Sequence, residues 1–163
     1  MWTGRGRGNL FGSARAARPR QWGSVRVSAQ TPVVTYAIIG VCVALWVGDI
    51  LTKGVITQYL GFTPIHGLYQ PWRILTTAFL HVNLMHIAFN MVSLYAIGRA
   101  LEPALGRGPY FCLYLLSALG GTLGVLGWVL IDPSSALTVT VGASGAIFGL
   151  FGSVFVLQRA AGI

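Results

Sequence analysis

The sequence predicts an all-α polytopic membrane protein, and three observations carry that expectation. Of its 163 residues 55% are hydrophobic and only 9% are charged, where soluble domains carry about 25% charged residues. Its mean hydropathy is +0.71. The apolar residues gather in four runs, three of bilayer-crossing length and a shorter fourth. A water-soluble globule is excluded, as is a disordered chain. Two cysteines cannot build a disulfide framework.

The net charge of +8 reflects 11 Lys+Arg against 3 acids. On a soluble chain this balance would point to nucleic acid. Here six of the ten arginines (Arg5, Arg7, Arg15, Arg18, Arg20, Arg26) precede the first apolar run. Basic residues so placed set membrane topology, so the expected partner is the lipid bilayer and not nucleic acid. Residues 1–30, rich in Gly, Arg and Ser, read as a disordered basic cytoplasmic tail. Residues 31–163 read as the membrane domain. No acid precedes Asp49, a composition shared with organellar transit peptides. A bacterial plasma membrane is nevertheless the expected location.

Val33–Leu51 is the first predicted span, 19 residues with Asp49 as its single charge at the far end and Lys53 at i+4 as the expected ion-pair partner. Residues 52–73 carry Gly54, Gly61, Pro64, Gly67 and Pro71 yet stay apolar, which predicts a loop lying on or partly in the interface. The second span falls within Ile74–Gly98 and carries His81, Asn83, His86 and Asn90. Arg99, Glu102 and Arg107 mark a polar turn. The third span is Tyr110–Ile131, and Asp132-Pro133-Ser134-Ser135 a turn. Val141–Leu157 is a short, glycine-laden fourth span. With the N-terminus inside, nine basic residues lie on the inner side and two, Lys53 and Arg73, on the outer. That bias predicts a cytoplasmic N-terminus.

Polar side chains inside a span are expensive and are functional candidates by default. His86 and Asn90, four apart, share one helix face. On a continuous helix His81 lies roughly 140° away from His86. The alternative is interhelical hydrogen bonding alone. In the fourth span Gly142, Gly145, Gly149 and Gly152 form one stripe permitting close helix approach. Ser144 lies off that stripe near the outer end, and alone it reads as a packing residue.

Elimination narrows the chemistry. A metalloprotease helix needs two His at i, i+4 with an adjacent Glu. The only Glu is Glu102, and no His pair has that spacing. Asp49 and Asp132 sit at span ends, which suits an aspartyl mechanism poorly. Lys53, the only lysine, lies in a loop. The soluble hydrolase elbow G-x-S-x-G fails because residue 146 is Ala. A serine with histidine and a polar oxyanion pocket remains. No metal site is expected.

Trp72-Arg73, then His81, His86 and Asn90 as H-x4-H-x3-N, then Gly142-x-Ser144-Gly145 follow one another in order, with Gly98-x-x-x-Glu102 between. In this the chain resembles the rhomboid intramembrane serine proteases, from about Trp72 to its end plus the preceding span. The resemblance implies a rhomboid-like helical bundle with four transmembrane helices of an expected six or more. It implies hydrolysis of transmembrane protein substrates without a cofactor. Ser144 would be the nucleophile, and His86, Asn90 and the Ser144 backbone N–H the oxyanion hole. His81 would be a structural hydrogen-bonding residue, and Trp72-Arg73 the anchor of the loop at the interface.

The family's general base is a His on a sixth span, in a segment resembling A-H-x-x-G. This sequence ends at Ile163, so no catalytic base is identified in it, and a C-terminally truncated, inactive piece is expected. The glycine stripe of the fourth span is expected to serve a partner helix outside the sequence. An inactive rhomboid-like protein that binds membrane clients is the alternative. His66, Cys42 and Cys112, and the Gly120, Gly121, Gly124 and Gly127 packing surface are assigned no site.

Overall fold

The computed structural model describes residues 31–67, 69–160 and 162, so the basic tail over 1–30 lies outside the described residues. Among the described residues seven helices follow in order: α1 Val33–Leu51, α2 Val55–Leu60, α3 Pro64–Gly67, α4 Arg73–Thr76, α5 Leu84–Leu105, α6 Arg107–Val129 and α7 Ser144–Ala160. Two 3-10 turns, Thr77–Phe79 and Pro133–Leu137, lie between them. Among the described residues there is no strand, only an isolated antiparallel bridge between Phe62 and Thr140. The protein is an all-α polytopic membrane protein.

Three helices, α1, α5 and α6, have 19, 22 and 23 residues and are long and apolar enough to span a bilayer. α7 is as apolar in character but has 17 residues. Of the most apolar stretch of each long helix, 17% is buried in α1, 33% in α5 and 17% in α6. Phe148, Phe89 and Leu116 point outward. Such bare apolar faces suit hydrocarbon and not water. The buried core is thin: Ile38 and Cys42 of α1, Leu94 and Leu101 of α5, Tyr110 and Tyr114 of α6, and Leu150 of α7.

The second span departs from expectation. Ile74–Phe79 does not belong to it. That segment forms α4 and the 3-10 turn, and Leu80 is extended. α5 starts at Leu84, where Asn83 (φ −152°) accepts the His86 N–H at 2.8 Å as a side-chain N-cap. His81 therefore precedes the helix, and its angular offset from His86 along a helix does not apply. At the far end the polar turn expected from Arg99 is helix as far as Leu105, and Gly106 (φ +86°) ends it. Glu102 is buried within that last stretch because it caps another helix. Its Oε1 accepts the Val34 N–H at 2.9 Å, and its Oε2 accepts the Thr35 N–H and hydroxyl at 2.8 Å each.

Asp49 is also differently engaged. Instead of pairing with Lys53, it accepts the Thr57 N–H and hydroxyl, each at 2.7 Å, and so holds the start of α2. The loop between α1 and α5 hangs on α6, where the Tyr114 hydroxyl donates to Ala78 O at 3.1 Å and the Thr122 hydroxyl to Ile74 O at 2.9 Å.

The glycine stripe of α7 already has a neighbour. A Cβ on Gly145 would meet Gly121 Cα at 3.0 Å, and one on Gly149 would meet the Ser117 side chain. α6, and not a helix outside the sequence, therefore lies against these two positions; Gly152 alone has open space. Of the five α6 glycines only Gly121 is in such close contact, while Gly108, Gly120, Gly124 and Gly127 face none.

Candidate active site

Ser144 opens α7 and is exposed. The first turn of a helix has N–H groups without intrahelical acceptors. In α7, Ile147 is the residue whose N–H returns to Ala143 O, at 2.9 Å. The Ser144 hydroxyl thus sits beside backbone donors at the positive end of a helix dipole.

The segment ahead of Ser144 is held from outside its own helix. Phe62 and Thr140 exchange backbone hydrogen bonds at 3.1 and 2.7 Å, and the Gly142 N–H donates to Thr77 O at 2.9 Å. The Thr77 hydroxyl donates to Thr140 O. Gly142 adopts φ +128°, a conformation open to glycine. A Cβ at Gly142 would lie 2.7 Å from His86 Nε2 and 3.7 Å from Ser144 Oγ. The imidazole and the serine hydroxyl therefore both approach the bare face of Gly142, with no room there for a methyl group.

Asn90, one turn beyond His86 on α5, is buried. It lines a cleft of about 150 Å³ together with Ser93, Ser144 and Phe148. His86, Asn90, Gly142, Ser144 and Gly145 thus gather at one end of the α5–α7 pair. Gly145 contributes the close approach to α6 described above.

His81 is 2% exposed and packs edge-on against the His86 ring, with centroids 5.0 Å apart. Neither of its ring nitrogens finds a hydrogen-bond partner among the described residues. It lies ahead of the spanning helix, and burial, with the neighbouring His86 second, pushes its pKa down to about 4. The ring is neutral at ordinary pH.

Trp72 and Arg73 stand apart from Ser144. Trp72 is exposed, and its indole N–H donates to Tyr59 O at 3.3 Å. Arg73 is buried; its Nη1 donates to Gln58 O at 2.7 Å and Gly61 O at 2.6 Å, and its Nε to the Gln70 side chain. Arg73 thus knits α2, α3 and α4 into one lobe. His66, exposed on α3, lines a cavity in that lobe with Arg73 and Gln70. Among the described residues no group of three or more His, Cys, Asp or Glu is placed to hold a metal ion.

Sequence reasoning did not single out Thr77, Thr140 or Phe62, which position the Gly142 peptide. Their contribution is made largely through backbone groups, which leave no side-chain signature.

An all-α bundle of membrane-spanning helices, with serine, histidine and asparagine gathered at one end, defines an integral multi-pass membrane protein. Residues 68–162 match the family described as the Rhomboid domain, and the chain belongs to the rhomboid family. It is 36% identical to YdcA of Bacillus subtilis over 129 residues, covering 74% of this chain and 60% of that protein. It is 40% identical to RHOMBOID-like protein 5 of Arabidopsis thaliana over 85 residues, 52% of this chain and 26% of that protein. It is 37% identical to the rhomboid protease GluP of Bacillus subtilis over 83 residues, 51% of this chain and 15% of that protein.

Proposed function

We propose that the protein is an intramembrane serine endopeptidase that hydrolyses transmembrane segments of membrane proteins without a cofactor. The observation that carries this reading is the convergence of Ser144 Oγ and His86 Nε2 on the bare face of Gly142, with Asn90 lining the cleft that holds Ser144. In it Ser144 attacks the scissile carbonyl. His86, Asn90 and the Ser144 N–H stabilise the resulting oxyanion, where each donor is worth about 10²–10³ in rate. Gly142 and Gly145 allow the close approaches at the site, His81 backs His86, and Trp72 and Arg73 hold the loop lobe.

Activation of Ser144 needs a general base. The chain's three histidines are His66, His81 and His86. His66 is in the loop lobe, His81 is buried against His86, and His86 is assigned to the oxyanion. In this reading none of the three is assigned as the base. Nine basic residues against two orient the protein with its N-terminus in the cytoplasm and Ser144 near the outer face. A bacterial plasma membrane is the setting we favour.

Coexpression of the complete reading frame with a tagged single-span reporter tests the reading. Cleavage should occur, vanish in Ser144→Ala and fall about 10²–10³-fold in Asn90→Ala. Cleavage that survives Ser144→Ala overturns it. Stable copurification of an uncut reporter by the complete protein would favour a client-binding rhomboid, the reading that the lack of a base among the three histidines supports.

A further inference from the structure

Separate from the cleft that Ser144 lines, an apolar groove of about 590 Å³ runs between α1 and α6. Val34, Ile38 and Val41 form one wall along two turns of α1, about 10 Å at 1.5 Å per residue. Gly108 and Phe111 form the facing wall on α6, and Phe79 closes the groove at depth. Phe79 is braced there by the Tyr114 ring, 5.7 Å away between centroids. At the mouth, where both helices begin, stands Arg107.

Among the described residues Arg107 has no ion-pair partner. The protein has three acidic residues in all. Glu102 accepts from Val34 and Thr35, Asp49 from Thr57, and Asp132 from Ser134. An exposed guanidinium above a hydrocarbon-lined slot at a membrane surface matches one kind of molecule, a lipid with an acidic head and an acyl tail. A zwitterionic lipid places a fixed cation beside its phosphate and is the poorer match. We propose that this groove is a binding site for an anionic phospholipid, with the phosphate on Arg107 and one acyl chain lying between α1 and α6 against Phe79.

The test uses the full chain, purified in detergent with dioleoyl phosphatidylglycerol or dioleoyl phosphatidylcholine, with bound lipid counted by native mass spectrometry. One phosphatidylglycerol should be retained in preference to phosphatidylcholine. Arg107→Gln should weaken retention at least about tenfold, as expected for loss of a charge-assisted contact. Gly108→Phe should do the same by filling the groove with every charge kept; a Cβ at Gly108 meets nothing within 4 Å, so the backbone accepts it. Ala37→Phe fills the groove from the α1 wall and serves as the second variant. Equal retention of the two lipids, or full phosphatidylglycerol retention in both groove-filling variants, overturns the site. The latter result would assign the lipid to the basic tail.

Discussion

Glu102 and Thr35 are 67 residues apart and meet at the start of α1, where one carboxylate oxygen accepts both the Thr35 N–H and its hydroxyl at 2.8 Å. The other oxygen takes Val34. A carboxylate so placed satisfies N–H groups that the first turn of a helix otherwise leaves open, and complements its dipole. α1 is joined to the rest of the bundle by a cap supplied from α5.

Glu102→Ala should therefore destabilise the protein by about 2–4 kcal/mol, the cost of several charge-assisted hydrogen bonds lost at a buried site. Thr35→Val should cost less, because the Thr35 N–H still has its acceptor. Unfolding of each variant in detergent, with the double variant to close the cycle, checks the coupling. A double variant no worse than Glu102→Ala is the expected result.

The contact of α6 with α7 makes a second comparison. Gly121→Ala drives a Cβ to 2.9 Å from Gly145 Cα, and backbone cannot move aside as a side-chain tip can. A loss of about 1–3 kcal/mol is expected, as for overpacking. Gly120→Ala and Gly124→Ala meet nothing within 4 Å and should cost nothing. Thermal midpoints of the three variants, measured side by side, decide it.

Gly142→Ala combines two penalties. Its φ of +128° is strained for any L side chain, and the new methyl would press on His86 at 2.7 Å. In the complete protein the rate of reporter cleavage should fall at least about 10²-fold, the effect of displacing one oxyanion donor. Ser144→Ala, by contrast, should leave the thermal midpoint nearly unchanged.

His81 predicts an acid limb. Its folded pKa, about 4, lies below the ordinary 6.5. Between those values the unfolded chain takes up a proton that the folded chain refuses, so stability is full above pH 6.5 and declines as pH falls toward 4. His81→Phe should flatten this part of the stability–pH curve. An unchanged slope would mean that His81 does not titrate in this way.

Hydropathy delimited α1 to the residue and α6 to within a few residues, since both are uninterrupted apolar runs. It failed at Ile74–Phe79, which is as apolar as a span yet folds as a loop against α6. The local clue was Asn83, a strong N-cap residue just ahead of Leu84. Glu102 was misread as a turn residue because its partners are 67 residues distant, and no local pattern carries such a pairing. The glycine spacing in α7 foretold a close approach but not the neighbour, since periodicity describes one surface only. His86 and Asn90 stand out in the sequence as polar groups in an apolar run, whereas Ser144 is singled out only through the resemblance of Gly142-x-Ser144-Gly145 to the rhomboid pattern. The backbone groups of Thr77, Thr140 and Phe62 were not, because every residue has them.

Phe62, Thr77, Thr140 and Gly142 belong to two stretches of chain, one far ahead of Ser144 in the sequence and one immediately ahead of it. For anyone grafting parts between relatives, these stretches are not separable cassettes. A transplanted loop carrying residues 60–78 would need residues 139–143 from the same donor, or the serine would arrive at the wrong height. Sequence changes in the loop, remote from any reacting atom, should therefore retune the site as readily as changes in α7 itself.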